Sequence, residues 1–180
     1  YMTLDNLNLE KYFHGVYDFL PCENGYMSFS RYSAKQREYL KFNEFFFVRT
    51  TFDGSVTLEF TTKAAKFGFG YKILNVSSKD TFDLYVNGEL FARDKVADLA
   101  VEGKLEYLLG SGEKKVCLYF PTDADIAVGN FSSDDDIFAV KKGEKVLLIG
   151  DSITQGYGTF ATGQTFVNVA NRTLDYEILN

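Results

Sequence analysis

Thr81-Phe-Asp-Leu-Tyr-Val-Asn-Gly-Glu-Leu-Phe-Ala92 is the stretch that decides most of the fold. In its first half, Phe82, Leu84 and Val86 fall at every second position, which is typical of a strand with one buried face. Asn87-Gly88 follows, and both residues tolerate the positive φ of a tight hairpin turn. The stretch therefore predicts two antiparallel strands joined by a two-residue turn.

The same alternation of apolar side chains recurs on both sides of this hairpin. Every second residue is apolar in Ser55–Phe60 and in Lys115–Phe120, and Gly110-Ser111-Gly112 supplies a turn before the second run. Three further runs are strand candidates: Glu44–Thr51, Lys66–Leu74 and Leu105–Leu109. Phe45-Phe46-Phe47 is apolar on both faces, which suits an inner strand covered on both sides. Six or more short strands at this spacing predict a mainly β fold, an antiparallel sandwich or barrel.

The composition agrees with a packed β domain and narrows the classes of partner. Hydrophobic residues make up 46% of the 180 residues, with 18 Phe, 12 Tyr and only 2 Pro, so the chain can bury a core. The net charge is −6 without any basic cluster, which argues against nucleic acid or an anionic membrane as a partner. No stretch is apolar enough to span a bilayer. The polar N-terminus lacks a signal-peptide pattern and predicts a cytoplasmic protein, while secretion stays open if a leader was removed upstream.

The cysteines, the acidic run and the histidine content carry little functional signal. Cys22 and Cys117 are expected to be free thiols, because two cysteines are no disulfide framework. Asp134-Asp135-Asp136 lacks the alternating spacing of a calcium loop and is expected to be a solvated loop. One histidine and no Cys/His cluster imply neither a metal nor an organic cofactor. The sequence leaves homo-oligomer formation open.

The pattern changes near residue 142. Lys145–Ile149 is apolar without alternation, which is typical of a parallel strand buried on both faces. A glycine-rich loop, Gly150–Gln164, follows, and Thr165 is a candidate N-cap for a helix. The apolar face of that helix comprises Phe166, Val169, Ala170, Thr173 and Leu174. Asp175–Leu179 then completes a strand–helix–strand unit, so we predict a β-sandwich domain over residues 1–142 and a β-α-β unit with a right-handed crossover over 143–180.

The loop that opens with Gly150-Asp151-Ser152-Ile153-Thr154-Gln155-Gly156 fits one motif better than its competitors. A phosphate-binding loop of the Walker type needs one residue less between its glycines and a lysine that is absent here. A dinucleotide fingerprint over Gly156-x-Gly158-x-x-Ala161 would begin about six residues too late after the strand. The nucleophile elbow Gly-x-Ser-x-Gly fails because Thr154 stands at its closing glycine.

The string Gly150–Gly156, in its strand–loop–helix context, resembles the first conserved block of the GDSL or SGNH serine hydrolases. The resemblance implies that Ser152 is the nucleophile and contributes its backbone N–H to the oxyanion hole, while Asp151 supports the motif. It also implies a flavodoxin-like α/β hydrolase domain, of which residues 143–180 are the first β-α-β unit. The preceding β region resembles the jelly-roll domain attached to some carbohydrate esterases of this family.

The rest of the family's catalytic machinery has no counterpart in this chain. The resemblance implies a glycine N–H, an asparagine side chain and an Asp-x-x-His pair, and the second block opens with a glycine just after a sequence like Leu179-Asn180. The single histidine, His14, is expected to be an ordinary surface or half-buried residue and not the base for Ser152. A serine needs an adjacent base to be an effective nucleophile, so the 180 residues alone are expected to be inactive.

The sequence therefore predicts the N-terminal part of a serine esterase that hydrolyses acyl esters. Acetyl is the expected acyl group and a carbohydrate or small molecule the expected alcohol, both implied by the resemblance. The alternative is a carbohydrate-binding or structural sandwich module in which the serine motif is not catalytic.

Overall fold

The computed structural model describes residues 2–3, 9–78 and 80–180, and within them the chain is mainly β. The strands are β1 (Met2–Thr3), β2 (Phe13–His14), β3 (Asp18–Pro21), β4 (Met27–Ser30), β5 (Thr57–Thr62), β6 (Lys66–Val76), β7 (Thr81–Val86), β8 (Glu89–Lys95), β9 (Glu102–Leu108), β10 (Lys114–Tyr119), β11 (Ala124–Ser133), β12 (Ile137–Ala139), β13 (Lys145–Leu147) and β14 (Glu177–Leu179). The α-helices are α1 (Ala34–Leu40), α2 (Glu44–Val48), α3 (Ser152–Gln155) and α4 (Phe166–Leu174). Short 3-10 helices cover Glu10–Tyr12, Glu23–Gly25, Arg49–Thr51, Val96–Asp98 and Thr162–Gln164.

The first twelve strands form two antiparallel six-stranded sheets. Sheet I has the order β3-β4-β11-β6-β9, and β1 also pairs with β11. Sheet II has the order β12-β5-β10-β7-β8, and β2 also pairs with β5. This confirms the predicted mainly β, antiparallel architecture. The jelly-roll relationship of the two sheets stays a prediction.

The core is a cluster of phenylalanine rings between the two sheets. Phe69 of β6 lies 5.9 Å from Phe82 of β7, centroid to centroid, and 6.5 Å from Phe120, which follows β10. All three side chains have no solvent exposure. Each buried ring contributes about 1.5–3 kcal/mol relative to an exposed one, so the aromatic content of the sequence serves mainly to hold the sheets together.

The predicted hairpin forms as the sequence indicated. Strands β7 and β8 pair in antiparallel fashion around the turn Asn87-Gly88, where φ is 52° and 85°. Positive φ at both central residues is what this turn type requires. The strand predicted at Lys66–Leu74 is also confirmed, within the longer β6.

The strand predicted at Glu44–Thr51 is wrong, because this segment is helical. Asn43 caps α2 by accepting the N–H of Phe46 at 3.4 Å, and a 3-10 helix follows from Arg49. The guanidinium of Arg49 lies 3.7 Å from the centroid of the Phe45 ring, one helical turn away. Phe45 and Phe46 are 60% and 50% exposed, so neither is an inner-strand residue. The cap and the turn-spaced cation–π contact override the β propensity of three consecutive phenylalanines.

Residues 143–180 form the predicted β-α-β unit. Strands β13 and β14 pair in parallel, Lys145 with Glu177 and Leu147 with Leu179, and α4 lies between them in the chain. Thr165 is the N-cap of α4 and accepts the N–H of Asn168 at 3.3 Å, as expected. The hand of the crossover and the domain boundary at residue 142 stay predictions.

The strand predicted at Lys145–Ile149 is not buried on both faces within the described residues. Leu147 is 64% and Ile149 87% exposed, because nothing in the described residues covers that side of a two-stranded sheet. The apolar face predicted for α4 also points outward, with Phe166 55% and Leu174 56% exposed.

Helix α4 buries its asparagine face on sheet II instead. Asn168 is 1% and Asn171 3% exposed, and the Tyr119 hydroxyl donates to the Asn168 carbonyl and the Asn171 side-chain oxygen at 3.4 Å each. The guanidinium of Arg172 lies over the ring of Tyr85 at 4.2 Å. The outer face of sheet II carries polar and tyrosine side chains, so it selects the helix face that can satisfy their hydrogen bonds.

The loop before α4 is fixed to sheet II by a buried carboxylate. Asp83 of β7 has no solvent exposure and forms a bidentate ion pair with Arg93. Arg93 Nε donates to Asp83 Oδ1 at 2.7 Å and Nη2 to Oδ2 at 2.9 Å. Asp83 also accepts the Gly163 N–H at 2.8 Å, while the Thr162 N–H donates to Thr81 Oγ1 at 3.1 Å. We call this contact, formed by Thr81, Asp83, Arg93, Thr162 and Gly163, the polar seam. It holds the β-α-β unit against the sandwich.

The expectations for the cysteines and for the acidic run are confirmed. Cys22 and Cys117 are free thiols, and Cys117 is buried in β10. Asp134, Asp135 and Asp136 are exposed between β11 and β12. No described helix has the length and apolarity needed to cross a bilayer.

Candidate active site

Ser152 lies just past the carboxyl end of β13. The parallel ladder continues one residue beyond the strands, because the Leu148 N–H donates to the Leu179 carbonyl at 2.8 Å. Gly150 and Asp151 then turn the chain. Ser152 is the first residue of α3, and its side chain is exposed. Asn180 follows β14 directly, so the two chain segments leave the sheet at the same edge. In open α/β sheets this edge is where ligands bind.

Asp151 and two glycines give the loop its shape. The Asp151 side chain caps α3 by accepting the N–H of Ile153 at 2.9 Å. A Cβ at Gly150 would overlap the hydroxyl of Thr154. Gly156 ends α3 with a φ of 93°, in the left-handed region that favours glycine, and its N–H donates to the Ser152 carbonyl at 3.0 Å. The residue types of the motif are thus accounted for by a single tight turn that presents Ser152. The catalytic role of Ser152 and the supporting role of Asp151 stay predictions.

His14 is buried on β2, which differs from the surface or half-buried position expected for it. Burial lowers its pKa, partly offset by the charges of Glu59 and Glu177, and its Nε2 has no hydrogen-bond partner. Glu177 begins β14, and Ser152 follows the opposite end of the same parallel pair. His14 lies on β2 of sheet II, near the charges of Glu59 and Glu177. In the part of the chain that the structure describes, no histidine or carboxylate bonds to the Ser152 hydroxyl.

Asn180 is a residue of this site that the sequence did not single out for a role. Its Nδ2 donates to the main-chain oxygen of Thr154 at 2.8 Å and to Ser55 Oγ at 3.1 Å. It thereby joins the end of β14 to α3 and to the sandwich. The sequence feature that could have identified Asn180 as a site residue is its position immediately after a predicted parallel strand.

No cluster of described residues is arranged as a metal site. Groups of three or more His, Cys, Asp or Glu side chains in metal-binding geometry are not found among residues 9–78 and 80–180.

Comparison with solved structures finds proteins of the same fold. The salicylyl-acyltransferase SsfX3 of a tetracycline biosynthetic pathway superimposes with a TM-score of 0.76 at 20% identity, over 93% of this chain and 49% of that one. A Bacteroides ovatus protein described as a GDSL-like lipase gives 0.63 at 20% identity, over 79% and 47%. A family two carbohydrate esterase from Clostridium thermocellum, in complex with cellohexaose, gives 0.56 at 17% identity, over 71% and 44%. No protein-family model and no curated protein sequence matches the chain.

These similarities, at 17–20% identity, show the fold. The class that they and the structure define is an antiparallel two-sheet β protein followed by a β-α-β unit, shared with an acyltransferase, a GDSL-like lipase and carbohydrate esterases. The chain spans about half the length of these structures, with coverage of 44–49%.

Proposed function

We propose that this chain is the N-terminal part of a serine esterase of the GDSL/SGNH type, with Ser152 as the nucleophile. The observation that carries the proposal is the placement of Ser152 in the string Gly150–Gly156, at the carboxyl edge of the parallel pair β13–β14. The fold shared with a GDSL-like lipase and carbohydrate esterases supports it. In this view residues 1–142 form the accessory sandwich, and residues 143–180 begin the hydrolase domain.

The mechanism would be acyl transfer through the serine hydroxyl. Ser152 Oγ attacks the ester carbonyl, its proton passes to a general base, and the Ser152 N–H stabilises the oxyanion. The alcohol then leaves with a proton from that base, and water releases the acid from the acyl-enzyme. The resemblance assigns the base to an Asp-x-x-His pair that residues 1–180 do not contain. We therefore expect the 180-residue chain by itself to be inactive.

For the substrate we propose an acyl ester on a carbohydrate, with acetyl as the acyl group. Support comes from the carbohydrate esterases that share the fold, one of which is described in complex with cellohexaose. The salicylyl-acyltransferase with the same fold offers an aromatic acyl group as the competing choice. Rates on acetylated xylan and on a salicylate ester, compared in one preparation, separate these two choices.

The decisive experiment is the replacement of Ser152 in the full-length gene product. Ser152→Ala is expected to abolish p-nitrophenyl acetate hydrolysis and labelling by a fluorophosphonate probe. Ser111→Ala, at another exposed serine in a glycine-flanked loop, is the matched control and retains both. Residues 1–180 alone should neither hydrolyse the ester nor take up the label at a comparable rate. Unchanged turnover by Ser152→Ala contradicts the assigned nucleophile.

A second candidate, carbohydrate binding by the sandwich itself, is favoured by one observation. Four aromatic side chains on α1, on α2 and in the turn between them are 75%, 71%, 60% and 50% exposed: Tyr39, Phe42, Phe45 and Phe46. Exposed aromatic rings are suited to stacking on sugar rings. Titration of the 180-residue chain with cellohexaose tests this function, and a Tyr39→Ala, Phe42→Ala double variant should lose the binding. Absence of a binding isotherm leaves the esterase proposal as it stands and removes this one.

A further inference from the structure

The loop that carries Ser152 is attached to the sandwich through Gln155. This residue ends α3, and its Nε2 donates to Asp123 Oδ1 at 2.8 Å. Asp123 has no solvent exposure and lies immediately before β11, the strand that pairs with three others in sheet I. Its own N–H donates to Asp80 Oδ2 at 2.6 Å, which fixes its position further. The one-turn helix α3 is therefore hydrogen-bonded to the residue that precedes β11, a central strand of the sandwich.

A second attachment runs through Arg31 and Asn180. The three guanidinium nitrogens of Arg31 donate to three main-chain oxygens in two segments: Nη1 to Asn180 at 2.6 Å, Nε to Phe52 at 3.0 Å and Nη2 to Arg49 at 3.4 Å. Asn180 in turn donates to the Thr154 carbonyl at 2.8 Å. The planar, branched guanidinium can hold these segments at once, which a lysine ammonium on a flexible stem cannot do in the same way.

The two attachments converge on one turn of chain. Gln155 and Thr154 are the last residues of α3, and Ser152 is its first, so both contacts restrain the segment that sets the position of Ser152 Oγ. The side chains of Arg31 and Gln155 are also close together, because a Cβ at Gly54 would lie 3.2 Å from the first and 3.4 Å from the second. The polar seam already joins the two units through Gly163, so these contacts are additional to docking.

We propose that Arg31 and Asp123 of the sandwich, acting through Asn180 and Gln155, are positioning residues that hold Ser152 in the geometry for attack. This inference rests on the proposed function and deepens it, because it makes the β domain a part of the catalytic apparatus. Misplacement of a reacting group by about 1 Å can lower a rate by about 100-fold, so restraint of the turn has a direct effect on turnover.

The test reverses the polarity of one hydrogen bond in the full-length protein. Gln155→Glu places a second carboxylate against Asp123, and we expect kcat for p-nitrophenyl acetate to fall by about 10- to 100-fold with little change in KM. Adding Asp123→Asn to Gln155→Glu restores a donor–acceptor pair of the same shape, so most of the loss should be recovered. Gln164→Glu, at an exposed glutamine in the same loop, is the matched control for charge and should keep the wild-type rate.

Two further readouts separate positioning from a merely structural role. Amide hydrogen exchange at residues 152–156 should become faster in Gln155→Glu and return toward the wild-type rate in the double variant, at unchanged melting temperature. Arg31→Lys, an independent variant, should lower kcat while the sandwich stays folded. Recovery in the double variant at matched stability is the outcome that a purely structural contact would not produce.

The outcomes distinguish this inference from the proposed function. If Ser152→Ala abolishes turnover but Gln155→Glu and Arg31→Lys keep the wild-type kcat, the positioning role is overturned and the esterase stands. If Ser152→Ala keeps full turnover, the proposed function fails, and the exchange rates alone decide whether the sandwich restrains the loop. A loss in Gln155→Glu that the double variant does not recover also overturns the inference.

Discussion

Replacement of Asp83 by alanine should loosen the β-α-β unit from the sandwich and destabilise the chain. The Asp83 carboxylate has no exposure, pairs with Arg93 at 2.7 and 2.9 Å, and accepts from the Thr81 hydroxyl and the Gly163 N–H at 2.8 Å each. Asp83→Ala therefore removes the ion pair and leaves the buried N–H of Gly163 without its acceptor.

The size of the effect follows from what the remaining partners can do. Breaking a buried ion pair by removing one member costs about 3–5 kcal/mol. The Arg93 side chain is 27% exposed and can be partly rehydrated, which reduces that cost. The unsatisfied Gly163 N–H adds to it, at about 1–3 kcal/mol. We expect the unfolding free energy to fall by a net amount of about 3 kcal/mol. For a chain of this length, this corresponds to a decrease of about 6–12 °C in melting temperature.

Urea unfolding of the 180-residue chain, followed by tyrosine fluorescence and circular dichroism, measures this loss. Glu38→Ala is the matched control, because Glu38 belongs to an ion pair with Lys41 whose side chains are 72% and 55% exposed. Such exposed pairs contribute about 0–1 kcal/mol. Limited proteolysis should also cut Asp83→Ala faster between residues 156 and 165. A loss below about 1 kcal/mol, equal to that of an exposed pair, would refute the assignment of the seam as the main attachment.

Three further changes probe the core, the loop and the response to pH. Phe69→Ala opens a cavity in a fully buried ring cluster and should cost about 3–5 kcal/mol of unfolding free energy in the same urea assay. Gly156→Ala should lower the melting temperature, because its φ is 93° and its Cβ would lie 2.6 Å from the Thr165 methyl group. Burial raises the pKa of Asp125 to about 6, above the usual carboxyl value, so the folded chain takes up this proton at a higher pH than the unfolded chain. The wild-type unfolding free energy should therefore gain a contribution as pH falls from about 6 toward about 4, and Asp125→Asn should lack that contribution.

The strands that the sequence predicted are those whose local pattern is uninterrupted. Strands β5, β7 and β10 carry aliphatic or phenylalanine side chains at every second position, and the turn Asn87-Gly88 sets the pairing of β7 with β8. Strand β11 was not singled out, although it is central to sheet I. Its alternation is broken where Asn130 adopts a φ of 50° and the register shifts between Gly129 and Ser132. A bulge of this kind is fixed by the neighbouring strands and is invisible to a period-two pattern.

The candidate site also has one part that the sequence predicts and one part that it does not. Gly150, Asp151 and Ser152 are adjacent in sequence, so their turn could be predicted from the string itself. Arg31 lies 149 residues from Asn180, and Asp123 lies 32 residues from Gln155. Those pairs are made by the docking of the β-α-β unit on the sandwich, and nothing in a single sequence indicates which polar residues will meet across such a contact.

The β-α-β unit has two unlike sides, and the difference bears on the proposed function. The side that faces sheet II is polar, and the side-chain amide nitrogens of Asn168 and Asn171 and the Gly163 N–H each donate to an oxygen. The other side presents Ile149, Leu147 and Phe166 to solvent, at 87%, 64% and 55% exposure. Several large apolar side chains exposed on one small unit are typical of a surface that further structure covers. Under the proposed function it is where the remaining strands and helices of the hydrolase domain would cover β13 and α4, while the sandwich holds the opposite side and, through Gln155 and Asn180, the nucleophile loop.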